Sequence, residues 1–229
     1  TAGTEPGRYT KTCFAGATAV NLLVSAGPTR EYFDSVRFIS NPSSGKMGYA
    51  IAREAAKRGH KVTLVSGPVS IDPPAGVEVV KVTTAAEMAK ACKQAFKTAD
   101  AAVMTAAVCD YRPVERLAYK RPKQQTQFRL LLEPTEDIAA ALGRRKGRRL
   151  LVGFAMEDHD PRAHAERKLQ KKNCDLIVLN GPENVGSDQA SVELFSPAQG
   201  WTGPFRGTKA QIARRLVRTI EKLLEESTE

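Results

Sequence analysis

Six short apolar runs, over residues 22–25, 61–66, 77–82, 101–105, 150–154 and 176–179, alternate with segments of helical spacing, and this alternation constrains the chain more than any other feature. Each run is too short for a buried helix and is mostly apolar, a pattern strands carry when both faces of their sheet are covered. The pattern predicts an α/β fold, a Rossmann-like, mostly parallel sheet with helices on both faces. Helix punctuation agrees. Residues 45–58 form an amphipathic run ending at Gly59, whose freedom at positive φ suits a C-terminal cap. Thr84 with Glu87, and Thr208 with Gln211, spell capping boxes ahead of two more helices. On the last of these, Ile212, Leu216, Ile220, Leu223 and Leu224 make one apolar stripe. Thr135 is positioned to cap a helix through Leu142, and Pro161 to open another.

Two regions break the alternation. Residues 111–133, rich in Lys, Arg, Gln and Pro, read as a flap or hairpin extension beyond the sheet, with a strand over 128–132. Residues 182–205 carry several glycines and read as irregular apart from a strand over 192–195. Residues 1–20 read as a tail or connector, leaving one domain over 21–229.

Bulk properties exclude some classes of function. No run of about 18 apolar residues occurs, so no membrane partner is expected. Cys13, Cys92, Cys109 and Cys174 are widely spaced and, with His60, His159 and His164, complete no zinc pattern, so no metal ligands are assigned. Without a disulfide framework or a secretory signal, a cytoplasmic location is expected. A net charge of +10 invites nucleic acid, but the basic residues are dispersed and no aromatic-interleaved RNA motif or zinc finger accompanies them. A phosphate-rich small substrate accounts for the same charge, and no nucleic-acid partner is expected.

The first strand opens into a polar loop, and Ser43, Ser44, Gly45 and Lys46 lead into a helix there. Free backbone N–H groups at a helix start suit a phosphate or carboxylate, and Lys46 adds a positive charge. Known phosphate spellings are absent. Gly27-Pro28-Thr29 stands where a dinucleotide fingerprint would begin, and Gly45-Lys46 lacks both the upstream glycine and the downstream hydroxyl of a P-loop.

Five segments, SAGPTRE at 25–31, ISNPSSGKMG at 39–48, AAVCDYRP at 106–113, GFAME at 153–157 and KLQKKNCDLIVLN at 168–180, together resemble phosphopantothenate–cysteine ligase, also called phosphopantothenoylcysteine synthetase. The resemblance runs in consistent order from about residue 21 to 224 and implies a single ligase domain over 21–229. It implies a two-step reaction of coenzyme A biosynthesis, in which 4′-phosphopantothenate is activated by a nucleoside triphosphate and cysteine then forms the amide. CTP is the co-substrate the bacterial members imply, with ATP left open, and Mg2+ is expected to bridge the phosphates. A homodimer is implied, with the flap or an edge strand pairing between subunits.

The resemblance also implies roles for individual residues. Asn41 falls on the asparagine that handles the acyl-nucleotide intermediate, although alone it reads more readily as a turn residue before Pro42. Lys120 matches the first lysine of a basic flap motif, and the two form the implied catalytic set. Pro122 replaces a lysine of that motif and fixes the local φ. Asp110 is implied to recognise the base, with Glu136, Asp137, Ile138, Ala139, Phe154, Lys168 and Lys172 completing the nucleotide pocket. Lys168 and Lys172, at i and i+4, share one helix face and otherwise read as a solvated pair. Gly27, Thr29, Ser43, Ser44, Gly45, Lys46, Ala106 and Ala107 form the implied phosphate and substrate side, the serines being helix caps as well. Cys109 stands where alanine is usual and reads as small filler. The segment 181–188 is shorter than in the family. Two other functions fit the bulk properties: an NADP-type Rossmann-like reductase, disfavoured by the missing glycine fingerprint, and a basic nucleic-acid-binding module.

Overall fold

The computed structural model describes residues 19–226, so the expected tail over 1–20 lies outside the described residues except for Ala19 and Val20. Val20 is already tied in, its carbonyl accepting from Lys61 N at 3.0 Å and its N–H donating to His60 Nδ1 at 3.4 Å. The elements run β1 (Asn21–Ala26), β2 (Arg30–Tyr32), β3 (Phe38–Ser40), α1 (Lys46–Lys57), β4 (Lys61–Ser66), β5 (Val77–Lys81), α2 (Ala85–Ala95) and β6 (Ala101–Met104). They continue with β7 (Tyr111–Pro113), β8 (Leu132–Pro134), α3 (Ile138–Gly143), β9 (Leu150–Met156), α4 (Pro161–Lys172), β10 (Leu176–Asn180), β11 (Gln189–Ser196), β12 (Gly200–Thr208) and α5 (Lys209–Glu226).

Eight strands make one sheet in the order β12-β11-β10-β9-β6-β1-β4-β5. The six strands from β10 to β5 are parallel, and β11 and β12 continue the sheet antiparallel. Helices α1 and α5 cover one face, where Ile51, Ala55, Ile212, Leu216 and Ile220 meet Leu22, Val24 and Val103. Helices α2, α3 and α4 cover the other, where Met88, Cys92, Ile138, Leu142 and Leu169 meet Leu23, Leu151 and Ile177. Alternate residues of β1 thus serve opposite cores, the reason its sequence is apolar throughout. Each aliphatic side chain so buried contributes about 1.5–3 kcal/mol. The expected Rossmann-like architecture is present.

Four local expectations are corrected. Helix α3 is capped by Asp137, whose Oδ1 accepts from Ala140 N at 3.0 Å, and not by Thr135. Thr135 instead closes β8 against the preceding loop, donating its hydroxyl to the Cys109 carbonyl and its N–H to that of Asp110. The flap hairpin pairs β7 with β8 at Tyr111–Pro134 and Pro113–Leu132, so of the expected strand over 128–132 only Leu132 is in the ladder. Residues 30–40, read as loop, contain the hairpin β2–β3. Finally β12, whose three glycines and Pro204 read as irregular, is a nine-residue strand at the sheet edge, where a missing N–H is tolerated. No helix among the described residues is long and apolar enough to cross a membrane.

Candidate active site

The chain leaves β1 to build one half of the sheet through β4 and β5, then returns through α2 to β6 on the other side of β1. The reversal between β1 and β6 opens a crevice beyond their carboxyl ends, the place where open α/β sheets bind ligands. A cavity of about 530 Å³ lies there.

Its first wall is the start of α1. Gly45 occupies the left-handed N-cap position at φ 74°, and no side chain accepts from the first-turn N–H groups. Ser43 Oγ accepts only from Gly45 N, at 3.4 Å, so neither serine caps the helix. Uncapped N–H groups beside a cavity are an anion-binding device, with the helix dipole pointing the same way. The helix is pressed onto the strand ends because residue 48 is glycine. A Cβ there would sit 2.5 Å from Ala26 Cβ and 2.6 Å from Thr105 Oγ1. Lys46 Nζ crosses to the segment before β11, donating to Asp188 Oδ1 at 2.7 Å and to the Gly186 carbonyl at 3.2 Å. This pair holds the Asp188 carboxyl below the usual carboxylate range.

The loop entering that wall is fastened from behind. Asn41 Nδ2 donates to the carbonyls of Ala107 at 3.2 Å and Val108 at 3.0 Å, binding the α1 entry loop to the β6 exit loop. Gly27 at φ 74° accepts from Ala107 N at 3.0 Å. The fully buried Thr29 accepts from Cys109 N at 2.9 Å and, through its carbonyl, from Ser40 Oγ at 2.8 Å. Gly27 and Thr29 therefore stand behind the cavity surface and do not line it. Burial raises the Cys109 thiol pKa and pushes Cys92 and Cys174 up to about 12, so these are inert thiols rather than nucleophiles.

The opposite wall comes from the other face of the sheet. Asp110, Glu136, Asp137, Ile138 and Ala139 line the cavity with Phe154 at the end of β9 and Lys168 and Lys172 on α4. Its charges are interlocked: Lys172 meets Asp137 at 3.2 Å, Lys93 meets Glu136 at 2.6 Å, and Lys168 pairs with Glu157. The cavity thus brings together Asn41, Ser43, Ser44, Gly45, Lys46, Ala106, Ala107, Asp110, residues 136–139, Phe154, Lys168 and Lys172.

Lys120 is placed differently. It is exposed on the flap outside the cavity lining, because the neighbouring Arg121 is held by the β2–β3 turn. Arg121 N donates to Asp34 Oδ2 at 3.3 Å, its carbonyl accepts from Arg37 at 2.9 Å, and its guanidinium lies over Phe128 at 4.6 Å. Burial alone would raise the Asp34 pKa, but N–H donors from Arg37, Val36 and Arg121 bring it below the usual range.

Sequence reasoning missed several lining residues, notably Thr105, Asn180, Asn184 and Lys209. Only Lys209 carried a signal. It is a cation at the first position of α5, where the helix dipole disfavours positive charge.

The sequence and the fold both have counterparts among known proteins. A family model described as the DNA/pantothenate metabolism flavoprotein C-terminal domain matches residues 17–224. A protein named cysteine/cysteine sulfinic acid decarboxylase, from an unknown prokaryotic organism, is 46% identical over 209 residues, covering 89% of this chain and 58% of that protein. The coenzyme A biosynthesis bifunctional protein CoaBC of Bacillus subtilis (strain 168) is 42% identical over 180 residues, covering 76% of this chain and 44% of that protein. The chain spans about half the length of these relatives. Among solved structures, the C-terminal domain of a coenzyme A biosynthesis bifunctional protein CoaBC superposes with a TM-score of 0.80 at 38% identity, covering 92% of this chain and 98% of that one.

Proposed function

The chain belongs to the DNA/pantothenate metabolism flavoprotein C-terminal domain family, and from that premise we propose that it joins 4′-phosphopantothenate to cysteine through an acyl-nucleotide intermediate. The observation that carries the proposal is the pairing, within one cavity, of an uncapped helix start and Lys46 with a separate wall of Asp110, residues 136–139, Lys168 and Lys172. Such an enzyme must hold a triphosphate and a phosphorylated acid side by side, and the first wall supplies amides and a cation for phosphate charge. The second supplies a carboxylate, Asp110, able to accept from an exocyclic amine of the base, with Phe154 beside it.

In the first step the acid's carboxylate attacks the α-phosphorus, the bond to the β-phosphate oxygen breaks, and pyrophosphate leaves. In the second the cysteine amine attacks the acyl carbon and the nucleoside monophosphate departs. Asn41, fixed by two carbonyls through its Nδ2, orients the acyl-nucleotide at the junction of the walls. CTP is the proposed nucleotide. The described residues offer no cluster of three or more His, Cys, Asp or Glu side chains able to hold a metal, so the proposed Mg2+ is one that arrives on the phosphates.

We further propose a cytoplasmic homodimer in which the flap of one copy, with Lys120, completes the cavity of the other. In support, Tyr119 is 63% and Leu131 73% exposed on the flap, large apolar side chains that contact with a second copy would cover. Sedimentation of wild type and Leu131→Glu tests this, a monomeric wild type being the outcome that removes it. The activity is tested by pyrophosphate release with each triphosphate, with and without 4′-phosphopantothenate and cysteine. Release that requires the acid is expected, and release indifferent to it, or absent, would refute the ligase function.

A further inference from the structure

Lys209 begins α5 and reaches the cavity from the same sheet face as α1. Only 9% of it is exposed. An ammonium carries three donors, and here one of them meets an acceptor, the Asn184 carbonyl at 3.0 Å. The other two have no acceptor among the described residues. The surroundings disfavour the charge on several counts. Burial lowers the lysine pKa, nearby Lys46 pushes it the same way, and Asp188 only partly opposes them. The dipole of an 18-residue helix adds to the cost at its first position.

The contacts that Lys209 does make are firmly built. Asn184 is pinned by a reciprocal pair with Ser191, at 2.8 and 3.0 Å, and Lys209 N donates to the Asp188 carbonyl at 2.9 Å. The Thr208–Gln211 capping box engages Gln211 N and Thr208 N, so the α5 start is not itself open to an anion as the α1 start is. What remains available is the side-chain ammonium. A buried, under-satisfied cation beside a cavity is held at a cost that a bound oxyanion would repay.

We propose that Lys209 is a phosphate-binding residue, its two free donors taking an oxyanion that also meets Lys46 and the first-turn amides of α1. The inference rests on the ligase reading for the identity of the ligand, which is a phosphate of either the nucleoside triphosphate or 4′-phosphopantothenate. On substrate binding Lys46 exchanges its bond to Asp188, 83% exposed, for the phosphate, whereas Lys209 gains bonds without giving any up.

The test compares wild type, Lys209→Met and Lys209→Arg by calorimetric titration with inorganic pyrophosphate, and by KM for CTP, 4′-phosphopantothenate and cysteine. Loss of a charge-assisted hydrogen bond is expected to weaken pyrophosphate binding by roughly 10- to 100-fold in Lys209→Met, with most of it recovered in Lys209→Arg. The KM for CTP rises by a similar factor if the site serves the triphosphate. If it serves the acid, the KM for 4′-phosphopantothenate rises instead and pyrophosphate binding is unchanged. The KM for cysteine stays constant in both cases. Unchanged pyrophosphate affinity with all three KM values unchanged overturns the proposal, as does a variant whose only defect is a lower Tm, which would make Lys209 a prop for the Asn184 turn. Lys209→Gln replaces the Met variant should that one fail to fold. A wild type that binds pyrophosphate but never releases it from CTP would sink the ligase function while leaving the lysine assignment standing on the titration.

Discussion

The α1 entry loop, residues 41–48, and the flap, residues 114–131, both follow sheet strands at their carboxyl ends, and both carry lysine. They differ in what holds them. The entry loop is fixed by Asn41 to two carbonyls of the β6 exit loop, by Lys46 to the turn before β11, and by the close seating of Gly48 on Ala26. The flap rests on the β2–β3 hairpin, through Leu117 N to the Phe33 carbonyl at 3.0 Å, through Arg116 over the Tyr32 ring and through Arg121, and it exposes Tyr119, Phe128 and Leu131. One region is therefore a finished wall and the other an exposed surface, the one proposed to meet a second copy. Geometry in the first should be intolerant of change, while the second should affect turnover without affecting folding.

The comparison is broken hardest at Asn41. Asn41→Asp puts a carboxylate oxygen where Nδ2 donates to Ala107 and Val108, removing two donated bonds and adding a negative charge beside the proposed acyl-nucleotide. Amide formation should fall about 100-fold or more, the cost of holding the acyl-nucleotide out of its productive geometry, while pyrophosphate release persists as a burst. Equal loss in both half-reactions would mean that Asn41 only shapes the loop. Next is Gly48→Val, whose Cβ meets Ala26 and Thr105. A displaced helix start should cost about 100-fold in kcat/KM and about 1–3 kcal/mol of stability. A denaturant midpoint and an activity both equal to wild type would show that the close seating has no consequence.

The flap should respond in the opposite sense. Lys120 is exposed with no ion pair among the described residues, so Lys120→Met is expected to leave stability within about 0.5 kcal/mol while lowering turnover by about tenfold or more. Loss of stability without loss of turnover would reverse the contrast between the two regions.

The same contrast governs what could be read from sequence. The parallel sheet, its helices and both capping boxes were legible because apolar period, turn residues and caps all act locally. Asp137 replaced Thr135 as the α3 cap because Thr135 was drawn into a tertiary pair with Cys109 that no local pattern encodes. Strand β12 was hidden by glycines and a proline that only an edge position accepts. Most of the implied site residues line one cavity, because their loops sit at the topological switch that the strand order creates. Lys120 does not, since the flap's resting place depends on Asp34 and Arg121, a long-range contact. Lys209 was overlooked because a lysine after a cap resembles a solvated one until its burial is known.

The smallest expected effect lies at the far end of α1, where the finished wall is anchored to α5. Arg58 donates to Glu221 through Nε at 2.7 Å and Nη2 at 2.6 Å, and His60 Nε2 lies 2.8 Å from the same carboxylate. Burial alone would raise the Glu221 pKa, but bonds from Arg58 and His60 bring it below the ordinary glutamate value. A carboxyl with a depressed folded pKa adds stability that is complete above its unfolded pKa of about 4.3 and fades as pH falls through the folded value. Acidification over that range should therefore raise amide hydrogen exchange in α1 and α5 ahead of α2, and Glu221→Gln should flatten this dependence. Exchange rising equally in both helix layers would show that the Arg58–Glu221–His60 cluster does not anchor the wall, whose rigidity would then rest on Asn41 and Gly48 alone.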